Sequence, residues 1–175
     1  MAVVTNVYAI IGIDPGEFNG IAFILVEKGE CHFFTKSFWN TIDFLEVKQI
    51  EAMVEDKVLQ VIIEDPNIIA GLFARYFHKL KETKGVVGAV SYVTKIAQNV
   101  GMNKQSAKLL MAYLEKKGIP YEAIIPEKKK KIIADNFFLF TGIQGISQHC
   151  RDAFMLLLRK GLVNTGKLKY FKNPK

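Results

Sequence analysis

Three carboxylates and one histidine stand where predicted strands end and where the last predicted helix begins. Asp14 ends the first predicted strand, and Glu64 ends the fourth. His149 and Asp152 lie three residues apart on the last predicted helix, a spacing that puts both on one helix face. Oxygen ligands suit Mg²⁺, so this set could hold a pair of divalent ions that activate water against a phosphodiester.

Each of these residues also has an ordinary structural explanation. Asp14 precedes a Pro-Gly pair, where an aspartate commonly takes part in a turn. Successive strand side chains point to opposite faces, so only one of Glu64 and Asp65 can join Asp14. A polar residue in the first helical turn can cap the helix or complement its dipole. If His149 acts in chemistry, it either binds metal or carries a proton, and both roles stay open.

The 175-residue chain has a formal net charge of +7, and this charge is unevenly distributed. Residues 1–70 contain 4 lysines and 11 acids, whereas residues 71–175 contain 20 basic and 6 acidic residues. Such an excess favours an acidic polyelectrolyte, above all nucleic acid, as a partner. Lys128, Lys129, Lys130 and Lys131 follow the fifth predicted strand. Because helix starts prefer anions, this run indicates phosphate binding more than a solvated helix start.

Composition excludes several classes of protein. Half of the residues are hydrophobic, which predicts one packed domain over residues 1–166, followed by a basic tail over 167–175. Cys31 and Cys150 are the only cysteines, so a disulfide scaffold or a Cys-rich zinc site cannot form. No apolar run reaches about 18 residues, and no secretion signal is visible. We therefore expect a cytoplasmic protein with no membrane partner.

Hydrophobic periodicity predicts an α/β domain. Short gaps between the first three strands indicate an antiparallel meander. Phe44, Val47, Ile50, Val54 and Val58 then mark one face of a helix, with Thr41 or Asp43 as its cap. The predicted strands are Tyr8–Asp14, Gly20–Val26, Glu30–Trp39, Leu59–Glu64 and Tyr121–Ile125. The later predicted helices are 69–81, 90–117 (after a break at 84–88), 127–139 and Gln148–Leu162.

Three motifs surround the four candidate residues, namely Ile11–Gly16 with Gly20–Ala22, Ile62–Glu64, and His149–Ala153. They resemble the motifs of the RuvC family of Holliday junction resolvases, in the RNase H-like superfamily. Thr141–Gly142 ahead of the last motif is similar to small members of phages and mobile elements. The sequence departs from the family's usual pattern just after Glu64, at Asp65–Asn67.

This resemblance implies an RNase H-like fold, with a five-stranded mixed sheet in the order 3-2-1-4-5 flanked by helices. It also implies that Asp14, Glu64, His149 and Asp152 form a catalytic and metal-binding site for two Mg²⁺ ions, with Mn²⁺ as a substitute. The expected protein is a homodimer that nicks four-way DNA junctions in pairs during recombination and repair. Two alternatives stay open: an RNase H-like nuclease acting on other branched DNA or RNA, and a non-cleaving junction-binding protein.

Overall fold

Strands of one mixed sheet, with helices on both faces, make up the computed structural model, which describes residues 6–68, 73–126, 132–163 and 169–170. The strands are β1 (Val7–Asp14), β2 (Phe18–Leu25), β3 (Glu30–Ser37), β4 (Val58–Glu64), β5 (Tyr121–Ile124) and β6 (Lys169–Tyr170). The helices are α1 (Phe38–Val54), α2 (Phe73–Lys117), α3 (Ala134–Thr141) and α4 (Gln148–Arg159).

The order of strands in the sheet is β5-β4-β1-β2-β3-β6. β1, β2 and β3 form an antiparallel meander, while β4 runs parallel to β1, and β5 runs parallel to β4. The predicted α/β class and the predicted strand order 3-2-1-4-5 are therefore confirmed. The short strand β6 adds one more strand beside β3, within the segment predicted as a basic tail.

The central strand β1 is apolar on both faces because each face carries a separate core. Ile11 packs with Leu114 of α2 on one face. Ile10 packs with Phe154 of α4 on the other face. A strand covered on both sides needs apolar residues at successive positions, which explains the nearly continuous hydrophobic run of β1.

Helix α1 begins earlier than predicted. The Ser37 side chain caps it by accepting a hydrogen bond from the backbone N–H of Asn40 at 3.4 Å, so the helix starts at Phe38. The predicted caps, Thr41 and Asp43, lie inside the helix instead. Serine at the end of β3 supplies the side-chain acceptor that a helix start requires, so strand and helix follow each other without a loop.

The apolar face predicted for α1 is not the face that packs on the sheet. Val47, Ile50 and Val54 are 52%, 61% and 81% exposed, and Val58 belongs to β4. Of the predicted face, Phe44 is partly buried against the core, together with Phe38 and Ile42 of the same helix. Its buried residues are Thr41, Leu45 and Ala52.

The long helix α2 contains a break at Gly85, where φ is 68° and ψ is 173°. This confirms the predicted break at 84–88, and the left-handed φ explains why glycine stands there. The helix then continues to its predicted end at Lys117. Of the helix predicted over 127–139, the structure shows α3 at Ala134–Thr141, and residues 127–131 lie outside the described part. Within the described residues, none of the helices is both long enough and apolar enough to cross a bilayer.

Candidate active site

Asp14 and Glu64 end two neighbouring parallel strands. In the register of β1 and β4, Ile13 pairs with Ile63, so the next residues stand side by side at the carboxyl edge of the sheet. Ile62 packs into the core beneath α4. Because strand side chains alternate, Glu64 points to the same face as Ile62, and Asp14 points to that face as well. The fold therefore brings two predicted site residues together below α4.

The neighbouring acid, Asp65, has a different role. Its Oδ1 accepts hydrogen bonds from the backbone N–H of Asn67 at 2.9 Å and from the Asn67 side chain at 2.8 Å. Its own backbone N–H donates to the Ile124 carbonyl at 2.8 Å. Asp65 thus stabilises the turn after β4, and strand alternation directs it away from Asp14. Of these two acids, Glu64 is the one that faces the same side of the sheet as Asp14.

Helix α4 approaches the sheet so closely that two glycines are required beneath it. A Cβ atom built on Gly12 would lie 2.2 Å from the carbonyl oxygen of Ala153. A Cβ atom built on Gly20 would lie 2.2 Å from the carbonyl carbon of His149. Backbone therefore packs on backbone at these points, which only glycine permits. These contacts hold the start of α4 beside the end of β1.

Side-chain hydrogen bonds add to this attachment of α4. The Cys150 thiol donates to the carbonyl of Phe34 in β3 at 3.1 Å. The hydroxyls of Ser147 and Thr35 lie 3.1 Å apart, and Ser147 also caps the helix by accepting from the Cys150 N–H. Cys31 and Cys150 are both buried free thiols. The helix start is thus fixed to three strands, so the side chains it carries have defined positions.

His149 and Asp14 contact each other directly. His149 Nδ1 lies 2.5 Å from Asp14 Oδ2, although 135 residues separate the two in sequence. The Asp14 side chain is 5% exposed, whereas that of His149 is 42% exposed. The carboxylate is therefore buried beneath a ring that reaches solvent.

Asp152 lies one helical turn after Gln148, which donates from Nε2 to Asp152 Oδ1 at 2.7 Å. Gln148 in turn accepts from Nη2 of Arg151 at 2.7 Å. Neither Gln148 nor Arg151 is among the site residues predicted from the sequence. Gln and Asp at positions i and i+4 of a helix form a hydrogen-bonding pair, so the spacing of Gln148 and Asp152 is the signal in the sequence that indicates this contact.

Behind the Asp14 turn, the fully buried Asn19 connects three elements. Its Oδ1 accepts from the backbone N–H of Gly16 at 3.1 Å and from the hydroxyl of Ser106 in α2 at 3.0 Å. Its Nδ2 donates to the hydroxyl of Thr41 in α1 at 2.9 Å. One amide thus fixes the turn that follows Asp14 to the helices on the opposite face of the sheet.

Replacing Asn19 by alanine should lower the free energy of unfolding by about 2–4 kcal/mol, because it leaves buried donors at Gly16 and Ser106 without their acceptor. Chemical denaturation measures this change. Asn40→Ala is the matched control, since Asn40 is exposed on α1 and should change stability by less than about 0.5 kcal/mol. Equal effects of the two substitutions would contradict the role given to Asn19.

The site has the donor chemistry that a divalent cation requires, with carboxylates from two strands and a helix and an imidazole beside them. Among the described residues, no group of three or more His, Cys, Asp or Glu side chains lies close enough together to hold a metal ion. Asp14 Oδ2 is instead bonded to His149. A cation bound to that oxygen would replace this hydrogen bond. The residue types and their shared edge suit the cation, and the ligand set stays a prediction.

The four predicted DNA-binding lysines, Lys128, Lys129, Lys130 and Lys131, lie outside the described residues. The described chain resumes at Ile132, whose carbonyl accepts from Nε of Arg151 at 3.4 Å. Because Arg151 also bonds Gln148, Ile132 is attached to the start of α4. Contact of these lysines with DNA stays a prediction.

Comparison with known proteins gives a likeness to a solved structure but no match in sequence. No family model matches the sequence. No curated protein matches it either. Among solved structures, RuvC of T. thermophilus in complex with a Holliday junction substrate is similar, with a TM-score of 0.43 and 15% identity. The alignment covers 87% of this chain and 96% of that chain.

Proposed function

We propose that the protein is a Mg²⁺-dependent, structure-selective DNA endonuclease that resolves four-way junctions by paired nicks. The observation that carries this proposal is that Asp14 and Glu64 end neighbouring parallel strands at one edge of the sheet, where His149 contacts Asp14. Asp14 and Glu64 follow paired positions in β1 and β4, and His149 bonds Asp14 at 2.5 Å. Carboxylates at one edge of a sheet supply the oxygen ligands that Mg²⁺ prefers.

In this proposal Asp14, Glu64 and Asp152 hold divalent cations, two per site, with Mn²⁺ able to replace Mg²⁺. Such ions supply an activated water and stabilise the leaving alkoxide. His149 either joins the ligands or moves a proton at Nδ1, since its ring combines contact with Asp14 and access to solvent. The burial of Asp14 excludes bulk water, which strengthens its interaction with a cation.

Branched DNA is the proposed substrate, and a homodimer is the proposed active form. The net charge of +7 supports binding to phosphates, and Lys128–Lys131 would add contacts beyond the site. Each chain contributes one candidate site at the sheet edge, whereas paired nicks in two strands need two sites. A symmetric dimer supplies them in equivalent positions.

A panel of labelled substrates tests the proposal. It comprises a four-way junction, a replication fork, a linear duplex and an RNA–DNA hybrid, each incubated with Mg²⁺ or with a chelator. We expect symmetric nicks in two opposed strands of the junction, only with the metal, and little cutting of the duplex.

Other outcomes of the panel would replace this function by a specific alternative. Faster cutting of the fork, or of the RNA strand in the hybrid, would identify an RNase H-like nuclease of different substrate class. Tight junction binding with no cutting in Mg²⁺ or Mn²⁺ would identify a non-cleaving junction-binding protein.

A further inference from the structure

Gln148 is placed to hold the carboxylate of Asp152 in one orientation. It is the first residue of α4, and Asp152 follows it by one turn on the same face. The amide nitrogen Nε2 donates to Asp152 Oδ1 at 2.7 Å, a short distance for a hydrogen bond to a carboxylate. This bond restricts rotation of the Asp152 side chain.

The orientation of the Gln148 amide is itself determined by Arg151. A guanidinium group only donates hydrogen bonds, so Arg151 Nη2 at 2.7 Å requires the amide oxygen on its side. The amide NH₂ must then face Asp152. The reverse orientation would put an oxygen against the carboxylate and an NH₂ against the guanidinium, and both contacts would be repulsive.

Arg151 is attached to the backbone rather than to a mobile side chain. Its Nη1 donates to the carbonyl of Ile146 at 2.7 Å, and its Nε donates to the carbonyl of Ile132 at 3.4 Å. The guanidinium therefore connects the loop before α4, the segment before α3 and the amide of Gln148. The backbone carbonyls thus fix Arg151, Arg151 fixes the Gln148 amide, and this amide fixes the Asp152 carboxylate.

We propose that Gln148 is a positioning residue, which holds Asp152 oriented toward a divalent cation while Arg151 holds the Gln148 amide. This inference rests on the proposed function, because it requires that Asp152 binds a cation. Groups that bond a metal ligand from behind typically change metal affinity by about 10–100-fold when they are removed. Neither Gln148 nor Arg151 needs to touch the substrate for this role.

Two substitutions test whether Gln148 acts by donating a hydrogen bond to Asp152 or only by the length of its side chain. Gln148→Ala removes the amide, and Gln148→Glu keeps the length and still accepts from Arg151 but cannot donate to Asp152. Gln49→Glu is the matched control, since Gln49 lies on α1 and donates to the Lys117 carbonyl at 3.0 Å, outside the site. The first readout is Mn²⁺ binding by the protein without DNA, followed by electron paramagnetic resonance. The others are the Mg²⁺ concentration for half-maximal cleavage and junction binding in a chelator.

We expect both Gln148 variants to bind Mn²⁺ at least about tenfold more weakly than the parent and to need correspondingly more Mg²⁺. Junction binding in the chelator should be unchanged, and Gln49→Glu should behave as the parent. Parent-like Mn²⁺ affinity in Gln148→Glu would overturn the inference, because shape alone would then suffice. Reduced junction binding with unchanged Mn²⁺ affinity would overturn it too and would identify Gln148 as a DNA contact.

Failure of the proposed function gives a different result from failure of this inference. If the parent protein neither binds Mn²⁺ nor cuts any substrate, both are wrong. If the parent binds Mn²⁺ and cuts the junction while both Gln148 variants match it, only the positioning role of Gln148 is wrong.

Discussion

Asp14→Asn should abolish the cleavage of four-way junctions while leaving junction binding intact. The substitution keeps the size of a side chain that is 5% exposed, and an amide can still bond His149, so the fold should persist. It removes the negative charge that a divalent cation needs. Loss of several kcal/mol of transition-state stabilisation corresponds to a fall of at least about 10³-fold in rate. Single-turnover cleavage and gel-shift binding in a chelator measure the two effects separately.

Asp43→Asn is the control for this substitution. Asp43 is exposed on α1, which packs on the opposite face of the sheet from α4, so the variant loses the same charge away from the site. Its cleavage rate should stay within about twofold of the parent, because exposed charges have small effects. If Asp14→Asn cleaved as fast as Asp43→Asn, Asp14 would have no part in the reaction and the proposed site would be wrong.

The sequence predicted the sheet well because strand signals are local. The buried run that ends at Asp14 and the run that ends at Glu64 predicted two strands within one or two residues of their observed bounds. Parallel pairing of these strands then brings both carboxylates to one edge, which is a consequence of topology. The resemblance supplied that topology, since the element order alone fits many folds.

The inner side of α1 could not be predicted from apolar spacing. The stripe containing Val47, Ile50 and Val54 is exposed, while Thr41 is fully buried. Thr41 is buried because its hydroxyl accepts from Asn19 and donates to the Ser37 carbonyl at 2.8 Å. Such a polar contact depends on residues 22 positions apart and has no periodic signal in the sequence.

The close packing of α4 against the sheet likewise could not be predicted from the sequence. Gly12 and Gly20 belong to the motif that carries the family resemblance, yet their spacing does not reveal what approaches them. Only the structure shows that the backbones of Ala153 and His149 occupy the space of the missing Cβ atoms. The position of His149 beside Asp14 therefore depends on two residues that have no side chain.

Gly20→Ala should displace the start of α4 and remove most of the cleavage activity. The new Cβ would lie 2.2 Å from the His149 carbonyl carbon and 2.6 Å from its Cβ, whereas carbon atoms in contact stand about 3.5–4.0 Å apart. His149 must therefore move by about 1 Å, and a misplacement of that size in a reacting group can cost about 10²-fold in rate. Overpacking should also lower the free energy of unfolding by about 1–3 kcal/mol. Denaturant titration and single-turnover cleavage measure these changes.

Gly101→Ala is the matched control, because it adds the same methyl group within α2 where no atom lies within 4 Å. There the methyl group should raise stability by about 0.5–1 kcal/mol, since alanine loses less conformational entropy in a helix than glycine does. If the added methyl group lowers stability at Gly20 but raises it at Gly101, the backbone contact at Gly20, rather than the loss of a glycine as such, positions His149. If Gly20→Ala were as stable and as active as Gly101→Ala, α4 would not be held against β2 at this point, and the Asp14–His149 contact would need another cause.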